Sequence, residues 1–255
     1  SPMLHYNTWT IEQQSWLPQE EAQIEQQLSF SNDYLCQTAH FEEHYSGDTL
    51  LCTYIKGVET PILNVSGISV RLHDERLDLG EWQVLQFYRC LYKNEPLIER
   101  RFTAVSPTGH TLEIVARRRL LMDKKEAMQI EYAVTSVDYS GPITILSVLH
   151  GGDEADKWYS LMNHVGDDYC WTWEQLLPMN VQVCCAMNYQ LYKNGSLVNR
   201  RPIKVEKQKV IGYSLTLVVQ PGDTLLLKKN VVVLDSLRNN KDDLIDHTVA
   251  CLTNW

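Results

Sequence analysis

Apolar and polar residues alternate along most of the chain, which is typical of β-strands with one buried and one solvated face. Between Met128 and Val134 every second residue is apolar, and Gln129 and Glu131 lie at intervening positions. The same alternation recurs at residues 111–114, 182–184 and 214–217. Turn sequences rich in Gly, Pro and Asn lie at residues 106–109, 138–142, 193–195 and 220–223. The pattern predicts an all-β domain of antiparallel strands, about a dozen or more in number.

Helical patterns are confined to the two ends of the chain. Residues 11–28 are rich in Gln and Glu, and Pro18 suits the first turn of a helix. Residues 240–255 form an amphipathic pattern whose apolar face is Leu244, Ile245, Thr248 and Leu252. No stop signal follows this second pattern. We therefore expect a β-domain over residues 1–239 and the start of a helical linker over residues 240–255.

Composition and charge narrow the functional classes. Lys and Arg total 23 against 32 Asp and Glu, so the net charge is −9, which argues against a nucleic-acid partner. No run of eighteen apolar residues predicts a membrane span. The seven cysteines are scattered without a C-x-x-C pair, and no signal peptide is visible. Buried thiols in a reducing, cytoplasmic compartment are the expectation.

The densest cluster of chemically capable residues lies at residues 38–48. His40, Glu43 and His44 follow the H-x-x-E-H order of one class of zinc hydrolase. That chemistry needs both histidines on one helical face, whereas a turn follows at once and the flanks resemble strands. We keep a zinc hydrolase as an alternative, but expect neither a metal nor a cofactor.

Carboxylates and tryptophans supply two further candidate sites. Glu42, Glu43 and Asp48 could provide paired acids, but adjacent residues of an extended strand point to opposite faces. A solvated or interface-pairing role is therefore favoured for them. Trp171 and Trp173 are two positions apart and share a sheet face, so they could stack on a sugar or simply pack in a core.

Three consecutive arginines occupy residues 117–119. Because side chains alternate along a strand, the three cations cannot converge on one phosphate. The sequence predicts a salt-bridged sheet face instead.

Residues 31–58 resemble the N-terminal signature of glycoside hydrolase family 65, which includes maltose, trehalose and kojibiose phosphorylases. The matching residues are Asn32, Phe41, Glu42, Glu43, Tyr45, Ser46, Gly47, Asp48, Thr49, Leu50, Thr53, Tyr54, Gly57 and Val58. The family's glycines are replaced by Ser31, Asp33, Cys36 and Cys52, and its arginine by Thr38. These departures indicate an altered local loop.

The resemblance implies a fold and a place in a larger enzyme. In the family, the N-terminal region is a β-supersandwich of two large antiparallel sheets. Helices join it to an (α/α)6 barrel that carries the catalytic acid. The chain is then expected to be a non-catalytic accessory domain, with the barrel as its partner. The parent enzyme would cleave α-linked glucosyl disaccharides with inversion, using phosphate or water and no cofactor.

The resemblance also suggests roles for the signature residues. Glu42, Glu43, Tyr45 and Asp48 are expected to hold the sandwich against the barrel or to shape the rim of its active site. No residue of this chain is expected to be catalytic. A free-standing carbohydrate-binding module that uses Trp171 and Trp173 is the alternative function, and a homodimer is compatible with either.

Overall fold

The computed structural model describes residues 3–255, which form nineteen β-strands and two α-helices. In chain order the strands are β1 (His5–Tyr6), β2 (Thr10–Gln13), β3 (Phe30–Ser31), β4 (Leu35–Gln37), β5 (Thr53–Ile55), β6 (Ile68–Leu72), β7 (Glu75–Arg76), β8 (Gln83–Tyr92), β9 (Leu97–Val105), β10 (Thr111–Leu120), β11 (Ala127–Ser136), β12 (Gly141–His150), β13 (Trp158–Val165), β14 (Cys170–Leu176), β15 (Val181–Lys193), β16 (Ser196–Leu197), β17 (Ile203–Lys207), β18 (Val210–Val219) and β19 (Thr224–Asp235). The helices are α1 (Glu21–Gln27) and α2 (Leu244–Thr253).

Eleven strands form one large antiparallel sheet. Its order is β1-β2-β8-β9-β10-β11-β19-β15-β14-β13, and the short β16 pairs with β15. The predicted alternation is confirmed: along β10, the residues from Leu112 to Leu120 at even positions are buried, and those between them are half-buried or exposed. The sheet therefore has a distinct inner face, which points toward the rest of the domain.

Two smaller sheets complete the β-structure. One has five strands in the order β17-β18-β12-β6-β7, and the other has three in the order β3-β4-β5. The five-stranded sheet packs on the inner face of the large one, where the rings of Tyr189 and Tyr213 have centroids 5.2 Å apart. Buried apolar residues from all three sheets join in one hydrophobic core. The expectation of an all-β domain built from large antiparallel sheets, with a short C-terminal helix, is confirmed.

The N-terminal helix is much shorter than the sequence pattern indicated. Thr10–Gln13 is a strand that pairs with β8, and a turn of 3-10 helix over Pro18–Glu20 precedes α1. The prediction of a helix from residue 11 was therefore wrong in its first half. The helix propensity of residues 11–13 is overridden by backbone pairing of β2 within the large sheet.

The C-terminal helix agrees with its predicted face. The Asn240 side chain accepts a hydrogen bond from the Asp242 N–H, and Leu244, Thr248 and Leu252 are buried against the outer face of the large sheet. The domain boundary between residues 239 and 240 stays a prediction. Within residues 3–255, no helix is both long and apolar enough to cross a membrane.

Candidate functional site

Residues 38–50, here called the signature loop, form no regular strand or helix between β4 and β5. The loop lies over the inner face of the large sheet. Because its backbone is irregular, Glu42 and Glu43 do not alternate as they would in an extended strand. Both carboxylates reach Arg100 on β9. The two glutamates were expected to point to opposite faces only if the segment were an extended strand, and the structure shows that it is not one.

A buried ion cluster anchors the first half of the loop. Arg100 Nη1 donates to Glu43 Oε2 at 2.5 Å, and its Nη2 donates to Glu42 Oε1 at 2.9 Å and to Glu43 Oε1. Arg118 Nη1 donates to Glu42 Oε2 at 2.5 Å. The Tyr132 hydroxyl donates to Glu43 Oε1 at 2.9 Å. Two cations meet two anions here, so the cluster is charge-balanced although every member is almost fully buried.

The electrostatics keep Glu42 and Arg100 ionised despite their burial. Burial opposes ionisation of Glu42, but Arg118 and Arg100 outweigh it and hold the pKa of that carboxyl below its usual value. Burial likewise opposes the charge on Arg100, and the two glutamates reverse this and raise its pKa. His40, in contrast, loses its charge, because burial and the nearby Arg118 and Arg100 lower its pKa well below the usual value. His40 is therefore neutral at physiological pH.

Two further carboxylates fix the backbone of the second half of the loop. Asp78 accepts hydrogen bonds from Ser46 N at 3.0 Å and Gly80 N at 2.8 Å. Glu25 on α1 accepts from Thr49 Oγ1 at 2.6 Å and from Leu50 N at 2.8 Å. Both carboxylates are buried. The loop is thus held from below along its whole length, and its tip is a fixed surface.

Aromatic packing accounts for other residues of the signature. Phe41 lies under the Arg100 guanidinium, 4.1 Å from the ring centroid, and contacts Tyr45 at a centroid distance of 5.1 Å. A side chain at Gly47 would meet the Tyr45 hydroxyl oxygen at 2.3 Å, so only glycine allows this approach. Asn32, fully buried, donates from Nδ2 to the carbonyls of Leu121 and Lys125. These residues therefore shape the loop rather than face solvent.

The predicted interface or rim residues fall into two groups. Glu42 and Glu43 lie beneath the surface, whereas Tyr45 is half-buried and Asp48 is exposed. The tip also exposes His44, Ser46 and Thr49. Contact with a partner stays a prediction for Glu42, Glu43, Tyr45 and Asp48. Only the residues at the tip are accessible enough to make such a contact directly.

A groove of about 600 Å³ runs beside the loop, between it and the five-stranded sheet. Its walls combine loop residues with apolar and polar groups of β6, β12 and the segments around them. They include His44, Leu51, Ile62, Asn64, Arg76, His150, Asp153 and Asp156. The fixed loop tip and the groove lie side by side and together form the candidate site.

The histidines and the glutamate of the zinc alternative have separate partners. His40 Nδ1 lies 3.0 Å from the Thr38 hydroxyl, Glu43 binds Arg100, and His44 Nε2 lies 3.6 Å from Asp78 Oδ2. In the part of the chain that the structure describes, no three His, Cys, Asp or Glu side chains are grouped to hold a metal ion. The geometry gives no support to a zinc hydrolase.

The two tryptophans share the outer face of β14, as predicted, and both are half-buried beside α2. Trp171 stacks loosely with His164, with ring centroids 5.8 Å apart. Trp173 donates from Nε1 to Gln182 Oε1 at 3.0 Å. Sugar stacking by these two rings stays a prediction.

The three consecutive arginines confirm the predicted salt-bridged face. Arg117 pairs with Glu99 and Arg119 with Glu95 on the outer face, and the buried Arg118 pairs with Glu42 on the inner face. The partners of the loop were not identified from the sequence pattern: they are Arg100, Arg118, Tyr132, Glu25 and Asp78. One signal was present: an arginine at an inward position of an alternating strand requires a buried carboxylate nearby.

Comparison with known proteins agrees with this picture. The family model described as "Glycosyl hydrolase family 65, N-terminal domain" matches residues 11–254. The chain is 24% identical over 174 residues to an alpha,alpha-trehalose phosphorylase of Thermoanaerobacter brockii and 24% identical over 156 residues to a kojibiose phosphorylase of Halothermothrix orenii. These alignments cover 59% and 57% of this chain but only 22% and 20% of those enzymes.

Solved structures give the same assignment of fold. A putative kojibiose phosphorylase from the human microbiome superposes with a TM-score of 0.85 at 19% identity, over 99% of this chain and 36% of that one. The chain thus spans roughly a fifth of the length of its curated relatives and about a third of that structure. The family match over nearly the whole chain, the signature loop and the fold lead to one conclusion: this chain belongs to glycosyl hydrolase family 65 and corresponds to its N-terminal domain.

Proposed function

We propose that this domain is a non-catalytic accessory module of a family 65 phosphorylase or hydrolase, and that the tip of the signature loop docks on an (α/α)6 catalytic domain. In that arrangement His44, Ser46, Asp48 and Thr49 lie at the rim of the active site. The observation that carries the proposal is the loop itself, whose tip is polar and exposed. Buried Asp78 and Glu25 bind its backbone, and its own Glu42 and Glu43 bind arginines of the large sheet. Surfaces fixed at such cost are suited to contacts that need accurate placement.

The expected reaction is cleavage of an α-linked glucosyl disaccharide, with inversion and with phosphate as the nucleophile. The trehalose and kojibiose phosphorylases among the relatives support this substrate class. Among the acids of the loop, Glu42 and Glu43 are paired with arginines, whereas Asp48 is exposed. This supports assigning the chemistry to the partner domain. The seven cysteines are unpaired within residues 3–255, which supports the expected reducing, cytoplasmic compartment.

Assays of the domain alone and joined to a catalytic domain test the proposal. The 255-residue chain, incubated with maltose, trehalose or kojibiose and inorganic phosphate, is expected to release no glucose 1-phosphate. A protein in which the same domain is followed by its (α/α)6 domain is expected to release it from one of these sugars. Turnover by the 255-residue chain alone would refute the accessory role.

Two variants of the joined protein separate docking from anchoring. Asp48→Ala removes an exposed group of the loop tip. We expect kcat/KM to fall about 10- to 100-fold because the tip no longer positions the rim of the active site correctly, and we expect the Tm to be unchanged. Glu43→Ala removes an anchor, so we expect a lower Tm together with lower activity. If Asp48→Ala leaves kcat/KM unchanged, the loop tip does not reach the active site.

A further inference from the structure

A second candidate site lies on the opposite face of the large sheet, where the β14–β15 hairpin meets the start of α2. A crevice of about 300 Å³ is lined there by Trp173, Gln182, Lys241, Asp242 and Ile245. Trp171 does not line the crevice, although it shares the face. The two-ring platform that the sequence suggested is therefore reduced to one ring beside a set of polar groups.

The polar groups of the crevice have unused hydrogen-bonding capacity. The Trp173 N–H is already bound to Gln182 Oε1, so the indole contributes its ring as an apolar wall. The Gln182 amide nitrogen keeps two donors that bind no other group among residues 3–255. Lys241 and Asp242 are exposed and add a donor and an acceptor. An aromatic wall with convergent donors and acceptors is the chemistry that recognises a sugar ring, whose C–H face stacks while its hydroxyls form hydrogen bonds.

Charge decides between sugar classes. Lys241 and Asp242 cancel each other, and the chain as a whole carries −9. A phosphate or carboxylate ligand would need a net positive site, which this crevice lacks.

We propose that this crevice binds one ring of a neutral sugar, with Trp173 as the stacking surface and with Gln182, Lys241 and Asp242 as hydroxyl partners. The site is separate from the signature loop, so it does not depend on the function proposed above. With one ring and few hydrogen bonds, its affinity should be weak, on the order of millimolar.

Titration of the 255-residue chain with maltose, followed by ¹H–¹⁵N NMR, tests the site. The indole N–H resonance of Trp173 is identified by its loss in Trp173→Phe. We expect that resonance to move and to saturate, and the other six tryptophan indole signals to stay in place. Asp242→Asn should weaken the maltose affinity about fivefold to tenfold through loss of a charge-assisted hydrogen bond. Asp246→Asn, which removes the same charge from an exposed position of α2 outside the crevice, is the matched control and should leave the affinity unchanged.

Three results would overturn the proposal. The Trp173 resonance could stay fixed up to about a hundred times the expected millimolar constant, where any such site would be saturated. Asp246→Asn could weaken the response as much as Asp242→Asn, which would make the effect one of general charge. Inorganic phosphate at the same concentration could move the Trp173 resonance further than maltose, which would make the crevice an anion site.

Discussion

The inner and outer faces of the large sheet each hold a surface segment in place, but by different means. On the inner face, Arg100 and Arg118 hold the signature loop through buried ion pairs. On the outer face, α2 is held by apolar contacts of Leu244 and Leu252 with residues such as Val232. Apolar packing is non-directional and stabilises in proportion to buried area. Buried ion pairs add little net stability, yet they impose one geometry because any displacement leaves a charge unpaired. This difference explains why the signature loop, whose polar tip needs one orientation, is held by ion pairs, whereas apolar packing is enough for α2.

The sharpest test of this difference uses two neighbouring arginines on β10. Arg118→Ala should lower the free energy of unfolding by about 3–5 kcal/mol, because it leaves Glu42 and two backbone carbonyls short of a buried partner. Arg117→Ala removes a half-exposed partner of the buried Glu99, which keeps Arg101 as its second partner at 2.8 Å, and should cost only about 1 kcal/mol. Urea denaturation measures both. Equal losses would mean that the buried cluster does not anchor the loop.

The outer face should respond to loss of volume rather than of charge. Leu252→Ala removes a fully buried side chain from α2 and should lower the free energy of unfolding by about 2–3 kcal/mol. Thr253→Ala, an exposed neighbour on the same helix, is the control and should change it by less than about 0.5 kcal/mol. Thermal unfolding followed by circular dichroism distinguishes the two. A Leu252→Ala protein as stable as the control would show that α2 is not held by this packing.

Lys229 gives an effect that is small per pH unit but diagnostic, because it is a buried lysine of the inner face that has no carboxylate partner within residues 3–255. It donates to the carbonyl oxygens of Gly67 at 2.9 Å and Val148 at 2.7 Å, and burial lowers its pKa to about 7. The unfolded chain, in which the lysine pKa is near 10.5, therefore binds more protons between these values, so stability rises with pH in that range.

The size of this pH dependence can be isolated by difference. Against Lys229→Met, the unfolding free energy of the unsubstituted chain should increase more steeply, by up to about 1.4 kcal/mol per pH unit between pH 7 and 10. Urea titrations at several pH values give this difference, in which the shared titration of the cysteines cancels. Parallel pH profiles would indicate that Lys229 stays protonated when folded.

The sequence allowed the strands and the C-terminal helix to be predicted, because alternation and amphipathic spacing are local signals. It also identified the signature, since the match from Phe41 to Leu50 has no gap. The partners of the loop could not be predicted. Arg100 and Arg118 lie 58 and 76 positions beyond Glu42, and only the pairing of β8, β9 and β10 aligns their side chains under it.

The N-terminal segment shows a second way in which a local sequence pattern fails: it predicted a helix where the structure has a strand. Residues 11–13 have helix-compatible composition, but their pairing with β8 makes them a strand. Pairing with another strand depends on distant residues, so no local pattern could reveal it. The convergence of Glu42 and Glu43 was hidden for a similar reason: it depends on an irregular backbone that buried partners hold in place.

The long sequence separation between the loop and its arginines also means that the loop is synthesised well before these partners. Glu42 leaves the ribosome 76 residues before Arg118, an interval of about 4–15 s at roughly 5–20 residues per second. For the first 58 residues of that interval neither Glu42 nor Glu43 has an arginine partner, so the loop stays hydrated and unfolded. β19, which lies between β11 and β15 in the finished sheet, is synthesised later still. The signature loop is therefore among the last parts of the domain to reach its native position, although it is synthesised early. The nascent domain remains accessible to chaperones and proteases until β19 has been synthesised.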